Sequence, residues 1–360
     1  MADPLLFRPL RLRDTEVRNR LWVSPMCQYS ADAQDGMPTD WHLAHLGGLA
    51  RGGAGMVIME ATGVVPEGRI SPFCLGLWND AQEAAFARLA EIVHGYGAKL
   101  AVQLGHAGRK ASTHPWMPGG PEGSVPVSAG GWPTVAPSAV AFDDLAEPRA
   151  LDSDELPGLV RAFVDAASRA VRAGLDAVEI HAAHGYLLHQ FLSPLSNFRT
   201  DAYGGSLENR ARLLREVVGA VRAEHPELPV LVRISATDWI PGGFELHEAQ
   251  QVAVWIAEDG ADLVDCSTGG NAPSAPIPVG PSYQVHCAAA VREGGIPTGA
   301  VGLITEAAQA EGILATGQAD VVLLGRALLR DPHLPLRWAH ELRAPGADAL
   351  VPRQYWRARF

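Results

Sequence analysis

His181, His184 and Tyr186 fall within one short run, His181-Ala182-Ala183-His184-Gly185-Tyr186. Two imidazoles can donate hydrogen bonds to an oxygen on which negative charge grows, and a phenol can deliver a proton at neutral pH. Histidines three apart can also hold a metal. A catalytic zinc site then needs a third ligand, commonly a carboxylate or another histidine. The neighbouring candidates, Gln103 and Arg233, suit a metal poorly. For either histidine alone, a packed core residue with satisfied hydrogen bonds is the competing reading. That reading weakens for two of them beside a tyrosine.

Other residues carry separate possibilities. Cys27, in Ser24-Pro25-Met26-Cys27-Gln28-Tyr29, would need a nearby base to act as a nucleophile, and none is evident locally. A free cysteine is more often a small buried hydrophobe. Arg233 ends an apolar run, where an unpaired charge is costly, so it needs an anionic ligand or a salt bridge. Gly302 and Gly325-Arg326 follow the last two apolar runs. Backbone N–H groups and a guanidinium there can hold a phosphate; an ordinary turn beside a surface arginine is the alternative.

These residues recur at the ends of eight short apolar runs: Leu21–Ser24, Met56–Glu60, Lys99–Leu104, Ala177–His181, Val230–Ile234, Leu263–Ser267, Thr298–Val301 and Val321–Leu324. Near-continuous apolar character marks strands buried on both faces. Helical patterns separate them: Trp41–Arg51, Ala81–Tyr96, Asp154–Ala173, Leu207–Glu224, Leu246–Glu258, Tyr283–Arg292, Glu306–Thr316 and Leu334–Leu342. Ser206 is placed to cap the fourth, and Thr305-Glu306 opens the seventh. The alternation predicts a single (β/α)8 TIM barrel spanning 1–360, with functional groups at the strands' carboxyl ends. An open doubly wound sheet is disfavoured, because no GxGxxG follows the first strand. Residues 5–18 predict an N-terminal β-hairpin that plugs the barrel floor. Residues 111–150, rich in Pro, Gly, Trp and Ser, form a long loop after strand three that shapes access to the mouth, as does the turn at 240–244.

The 360 residues carry a net charge of −11, which argues against a nucleic-acid surface. No apolar run reaches the length of a membrane span, and no basic segment followed by an apolar one marks a secretory start. The four cysteines form no CxxC pair, as expected of reduced thiols in a cytoplasmic protein without a metal site.

Four motifs in order carry a resemblance. They are Ser-Pro-Met-Cys-Gln-Tyr at 24–29, Gly-His-Ala-Gly-Arg-Lys at 105–110, His-Ala-Ala-His-Gly-Tyr at 181–186 and Arg-Thr-Asp-Ala-Tyr-Gly-Gly-Ser-Leu-Glu-Asn-Arg at 199–210. From Leu6-Phe7 to Gln354-Tyr355-Trp356-Arg357 the chain resembles the old yellow enzyme family, in particular its thermophilic-like class of xenobiotic and enone reductases. The resemblance implies FMN at the barrel mouth and NADPH or NADH as reductant. Ser24, Pro25, Met26 and Cys27 would line the flavin, with Cys27 tuning it and touching substrate. Ala61 and Gln103 would meet the ring edge, Arg233 the reduced ring, and Gly302, Gly325 and Arg326 the phosphate. His181 and His184 would bind the carbonyl of an α,β-unsaturated substrate (an enone or enal, or a nitro compound in its place). Tyr186 would protonate Cα, Tyr29 would contact substrate, and Lys110 would lie near the flavin. Hydride would pass from NAD(P)H to flavin and then to the β-carbon, by ping-pong kinetics. The resemblance also implies a homodimer or homotetramer in which Arg357 reaches a neighbour's active site, with Arg353 and Arg359 close enough to share that role. The iron–sulfur cluster and second nucleotide domain of larger relatives are not expected, since clustered cysteines are lacking.

Two other readings compete. A phosphate-binding barrel lyase or aldolase would want a Schiff-base lysine or a metal, and Lys99 and Lys110 support it poorly. A non-catalytic flavin-binding barrel would leave His181, His184 and Tyr186 without a shared purpose.

Overall fold

The computed structural model describes residues 3–359. Strands β1 (Leu10–Leu12) and β2 (Thr15–Val17) form an antiparallel hairpin. Then come β3 (Leu21–Val23), α1 (Asp40–Arg51), β4 (Met56–Gly63), α2 (Asp80–Gly95) and β5 (Lys99–Gly105). A two-stranded pair, β6 (Val135–Ala136) and β7 (Arg149–Ala150), lies in the long excursion. It is followed by α3 (Leu156–Arg172), β8 (Ala177–Ala182), α4 (Leu187–Leu192), α5 (Leu207–Glu224), β9 (Val230–Ser235) and α6 (Leu246–Glu258). The chain ends through β10 (Leu263–Ser267), α7 (Val285–Arg292), β11 (Thr298–Ala300), α8 (Ala307–Ala315), β12 (Val321–Leu324), α9 (Arg326–Arg330), α10 (Leu334–Glu341) and α11 (Ala347–Leu350).

Eight parallel strands close in the order β3, β4, β5, β8, β9, β10, β11, β12, with β12 pairing back to β3. The expected (β/α)8 barrel is therefore present. Side chains alternate across each strand, which splits the core in two. Trp22, Met56, Ile58, Ala101, Ala177, Leu231, Leu263, Val321 and Leu323 fill the inside. Their neighbours Leu21, Val23, Val57, Val102, Val178 and Val232 pack outward in the larger cluster that includes the helices. Leu12 and Val17 of the hairpin join the inner cluster, so residues 5–18 do close the floor. The Trp22 indole satisfies its N–H on Asn19 O at 3.0 Å, which lets a large ring sit fully buried there.

The same two-residue period carries polar groups up the inner face. From Ala101 it reaches Gln103; from Ala177, Glu179 and His181; from Leu231, Arg233; from Leu263, Asp265 and Ser267. Apolar residues occupy the floor and polar ones the mouth. On β4 the period breaks. The pairing with β5 shifts between Met59 and Ala61, which turns Glu60 toward His42 of α1 and leaves Ala61 beside Tyr186 and Cys27.

Several boundaries differ from expectation. Strand β3 stops at Val23, one residue early, because Pro25 has no N–H to continue a ladder. β4 runs to Gly63 rather than Glu60, since the shifted register lets pairing resume. Helix α7 begins at Val285 instead of Tyr283, after Ser282 takes φ 61°, and Glu306 is the cap of α8 rather than its first turn. Three short helices were not expected: α4, α9 and α11. Their four to six residues are too few for a hydrophobic period to stand out. Ser206 caps α5 as read, accepting from Asn209 N at 3.3 Å. No helix among the described residues is long and apolar enough to cross a membrane.

One tie on the excursion at 111–150 is Arg109, which is 4% exposed. Its guanidinium donates to Val140 O and Ala141 O, both at 3.3 Å, and to Asn271 O at 2.7 Å. A second tie is Arg69, whose guanidinium sits between the rings of Trp78 and Trp132 at 5.2 and 5.0 Å. Replacing Arg109 with Met strands buried carbonyl oxygens, each worth about 1–3 kcal/mol. Arg109→Met is therefore expected to lower the unfolding free energy by roughly 2–4 kcal/mol in a urea titration. A loss below about 0.5 kcal/mol would mean that other contacts hold the excursion.

Candidate active site

The turn after β8 carries the histidines and the tyrosine, and its backbone is unusual. His184 and Gly185 take φ 59° and 71°. A Cβ on Gly185 would lie 2.3 Å from Gly270 O, and one on Gly270 2.6 Å from the Cα of His184. The β8 and β10 turns thus meet backbone to backbone, which glycine alone permits at both positions. His184 N–H donates to Ser235 Oγ at 2.9 Å, and Gly185 N–H to His189 Nδ1 at 2.9 Å. His189 Nε2 in turn faces Asp238 Oδ1 at 3.2 Å, with both side chains fully buried. Asp238 also accepts from Ser193 Oγ at 2.5 Å and Phe244 N at 2.8 Å. This dyad sits behind the turn and fixes it.

In front of the turn three rings pack edge to face. His181 lies 5.3 Å from His184 and 5.0 Å from Tyr186, centroid to centroid. Burial, then the positive charge of Arg233, holds both imidazoles well below their ordinary pKa. Both are neutral at pH 7, so each donates through one ring nitrogen. Burial, followed by Cys27 and Tyr29, pushes the Tyr186 phenol up, so it keeps its proton.

A hydrogen-bond network positions the His184 ring. Gln284 Nε2 donates to Val301 O, which turns its Oε1 toward Thr268 Oγ1 at 2.7 Å and, less closely, Ser267 Oγ at 3.3 Å. Ser267 Oγ in turn lies 2.8 Å from His184 Nε2, so the network holds the ring in place. His181 Nδ1 is buried with no hydrogen-bond partner among the described residues.

Cys27, Tyr29, Ala61, Trp132 and Tyr186 surround a small apolar cluster of Ile70, Cys74, Ala107 and Ala111. Glu60 holds the Cys27 loop. Its Oε2 accepts Gln28 N–H at 3.0 Å, and its Oε1 faces His42 Nε2 at 3.2 Å. Thr39 N–H donates to His42 Nδ1, so the ring proton points at Glu60. Lys110 Nζ donates to His184 O at 2.8 Å and Gly270 O at 2.9 Å, and burial, then Arg109, brings its ammonium down to about 8.

Two cavities flank these groups. One of about 710 Å³ is lined by Tyr29, Tyr186, Lys110, Trp116, Phe142 and Leu145. The other, about 180 Å³, is lined by Gly302, Gly325, Arg326, Arg330, Tyr283 and Thr305. Gly302 takes φ 123°, and Met26 Sδ would lie 3.4 Å from a Cβ on Gly325, so the loop after β3 reaches this second cavity. No carboxylate among the described residues pairs with Arg326. Arg233 Nε pairs with Asp265 Oδ2 at 3.1 Å, which is the salt bridge weighed from the sequence.

Cys27, Tyr29, Ala61 and Tyr186 pack around one apolar cluster beside His181 and His184, and Gly302, Gly325 and Arg326 line one cavity, whereas Arg357 lies apart from both groups. That residue is exposed in the last helical turn, Arg353–Ala358, with its guanidinium 5.3 Å from the Trp356 ring. Sequence reading missed His42, Glu179, His189, Asp238, Asp265 and Gln284, and gave Glu60 no role. For Glu179 and Asp265 a signal existed: a lone acid inside an apolar strand, in phase with His181 or Ser267.

Residues 5–344 match the NADH:flavin oxidoreductase / NADH oxidase family. The chain belongs to that family. It is 45% identical over 354 residues to the NADPH dehydrogenase of Halalkalibacterium halodurans, covering 98% of each chain. Morphinone reductase shares 32% identity and superposes with a TM-score of 0.78, over 94% of this chain and 90% of that one. A 2-naphthoyl-CoA reductase gives a TM-score of 0.84 at 26% identity, over 94% of this chain and 52% of that one, so this chain spans about half of that larger protein. The chain is accordingly a flavin-dependent oxidoreductase of the old yellow enzyme type, with FMN and NAD(P)H as its cofactors.

The residues fit such a cofactor: a glycine-lined cavity with an unpaired arginine suits a phosphate, and the buried Arg233 and the open valence of His181 Nδ1 suit polar partners above them. The depressed histidines make a direct prediction. NMR titration of His181 and His184 is expected to show both rings still neutral as pH falls through the ordinary histidine value near 6.5. A titration midpoint at the ordinary value would show that burial does not control them.

Proposed function

We propose that this protein reduces the activated C=C bond of α,β-unsaturated carbonyl compounds. The observation that carries the reading is the group His181, His184 and Tyr186: neutral donors packed ring against ring at the barrel mouth, one with an unpartnered nitrogen. Bound FMN would supply the hydride chemistry that links NAD(P)H to the substrate's β-carbon. Gly302, Gly325 and Arg326 would hold its phosphate. Ser24, Pro25, Met26, Cys27, Ala61, Gln103 and Arg233 would surround its ring.

The chain's own groups do the rest. His181 and His184 donate to the carbonyl oxygen as it gains negative charge; one such donor is typically worth about 3 kcal/mol in the barrier. Both are neutral before the reaction, so neither must lose a proton to act. Tyr186 holds the proton destined for Cα. Lys110 ties the His184 and Gly270 carbonyls together and fixes the turn, and Tyr29 lines the substrate cavity. One site serves nicotinamide and substrate in turn, which makes the kinetics ping-pong. In a homo-oligomer, a dimer or a tetramer, Arg357 of one subunit would complete the site of another. A lyase reading would ask Lys110 for a free amine, but its Nζ donates to two carbonyls and sits 4.4 Å from the centre of the Phe142 ring.

In stopped-flow half-reactions, Tyr186→Phe is expected to slow enone reduction by about 10²–10⁴-fold while leaving flavin reduction by NAD(P)H within about threefold. Equal losses in both half-reactions would remove the proton-donor role. For Arg326→Ala, FMN retention after gel filtration is expected to fall at least tenfold, equivalent to about 1.4 kcal/mol of a charge-assisted contact. Full flavin occupancy would place the phosphate elsewhere.

A further inference from the structure

Below the histidines, inside the barrel wall, lie three charged side chains that the mechanism above does not explain as a set. They are Glu179 of β8, Arg233 of β9 and Asp265 of β10. Glu179 and Asp265 are fully buried. Glu179 Oε1 accepts from Gln103 Nε2 at 2.7 Å. Arg233 Nε faces Asp265 Oδ2 at 3.1 Å. Among the described residues, Glu179 Oε2, both Asp265 carboxylate oxygens and Arg233 Nε have no hydrogen-bond partner, the Arg233–Asp265 contact being an ion pair only. The titratable and charged groups that face Glu179 are Asp265 and Arg233, and the third neighbour, Gln103 of β5, is neutral.

Two carboxylates against one guanidinium leave a net negative charge in a site sealed from water. An ionised carboxylate buried without donors costs several kcal/mol. A single proton resolves the charge. It brings the cluster to neutrality and lets one carboxyl donate to the other, the two side chains being within hydrogen-bonding reach. We propose that Glu179 and Asp265 hold one proton between them at neutral pH, and that this proton keeps the cluster beneath the barrel mouth from presenting negative charge to the reduced flavin. The second half rests on the flavin reading; the first does not. Glu179 and Asp265 are thus positioning residues, acting through Arg233 and Gln103.

The energetics agree in direction. Burial, then the nearby Asp265, pushes the Glu179 carboxyl up from 4.5 to about 8, and burial likewise raises Asp265. A folded-state pKa raised above the unfolded one stabilises the protein fully below about 4.5, and that contribution is lost as pH rises to about 8. Above that point the cluster turns negative and opposes a second negative charge over Arg233.

The test compares the full-length wild type with Glu179→Gln and Asp265→Asn. The glutamine amide reproduces the protonated acid, accepting from Gln103 and donating to Asp265. Infrared spectra of the flavin-free protein at pH 7 are expected to show a protonated-carboxyl C=O band. That band disappears in both variants, because each removes the need for the proton. Urea titrations are expected to show wild-type stability falling relative to Glu179→Gln as pH rises from about 4.5 to about 8. In the flavin-loaded protein poised at a fixed potential, raising the pH through 8 is expected to lower the reduced-to-oxidised ratio on the order of tenfold more in wild type than in Glu179→Gln. Absence of the carboxyl band in folded wild-type protein overturns the shared proton. A band that is present, with identical flavin titrations in wild type and Glu179→Gln, overturns its role toward flavin. A protein that takes up no FMN refutes the proposed function and leaves the infrared and stability results to decide the proton. If Glu179→Gln does not fold, Asp265→Asn carries the infrared comparison.

Discussion

Closure of eight parallel strands forces each strand to present every second residue to an enclosed interior, and that constraint organises the molecule. The interior cannot be uniformly apolar if it is to act on a polar ligand, nor polar throughout if it is to hold the barrel together. The chain separates the two along each strand. Trp22, Met56, Leu231 and their neighbours fill the lower part, with the hairpin sealing it. Gln103, Glu179, His181, Arg233, Asp265 and Ser267 occupy the upper part in the same phase. A one-residue slip in any strand would exchange its polar and apolar sets, so the register that builds the core also builds the site.

The polar groups then hold one another in place. Ser267, Gln284 and Thr268 orient His184. Gln103 and Glu179 bond directly. The His189–Asp238 dyad and the contact of Gly185 with Gly270 make the β8 turn stiff enough to carry a left-handed histidine. A low-dielectric interior strengthens each satisfied bond and penalises each unsatisfied one. The same burial keeps both histidines neutral and Tyr186 protonated, the states in which they can donate. The long excursion covers this region through Arg109 and Arg69, which bridge backbone carbonyls and aromatic rings rather than carboxylates.

The local pattern was legible where chemistry and periodicity coincide. The apolar runs gave the strands to within a few residues, and the strand ends gave His181, His184, Tyr186, Cys27, Gln103, Arg233 and Arg326. What escaped was whatever depends on a second segment far away in the chain. Glu60 reads as an ordinary strand end until the shift between Met59 and Ala61 turns it toward His42. Asp238 lies in an irregular segment, and its value rests on His189, 49 positions earlier, through a 3.2 Å contact. The short helices α4 and α9 form because the barrel rim supplies their packing, whereas their own length supplies little signal.

The sequence by itself determined the strand periods, the glycine-bearing turns and the residue types offered at each strand end, because these follow from side-chain volume, branching and backbone freedom. Only the tertiary structure decided which groups share a charge and which are left without a partner. Protonation states, tautomers and ion pairs depend on distance and dielectric between strands remote in sequence. Glu179, Arg233 and Asp265 become a cluster only when β8, β9 and β10 stand side by side.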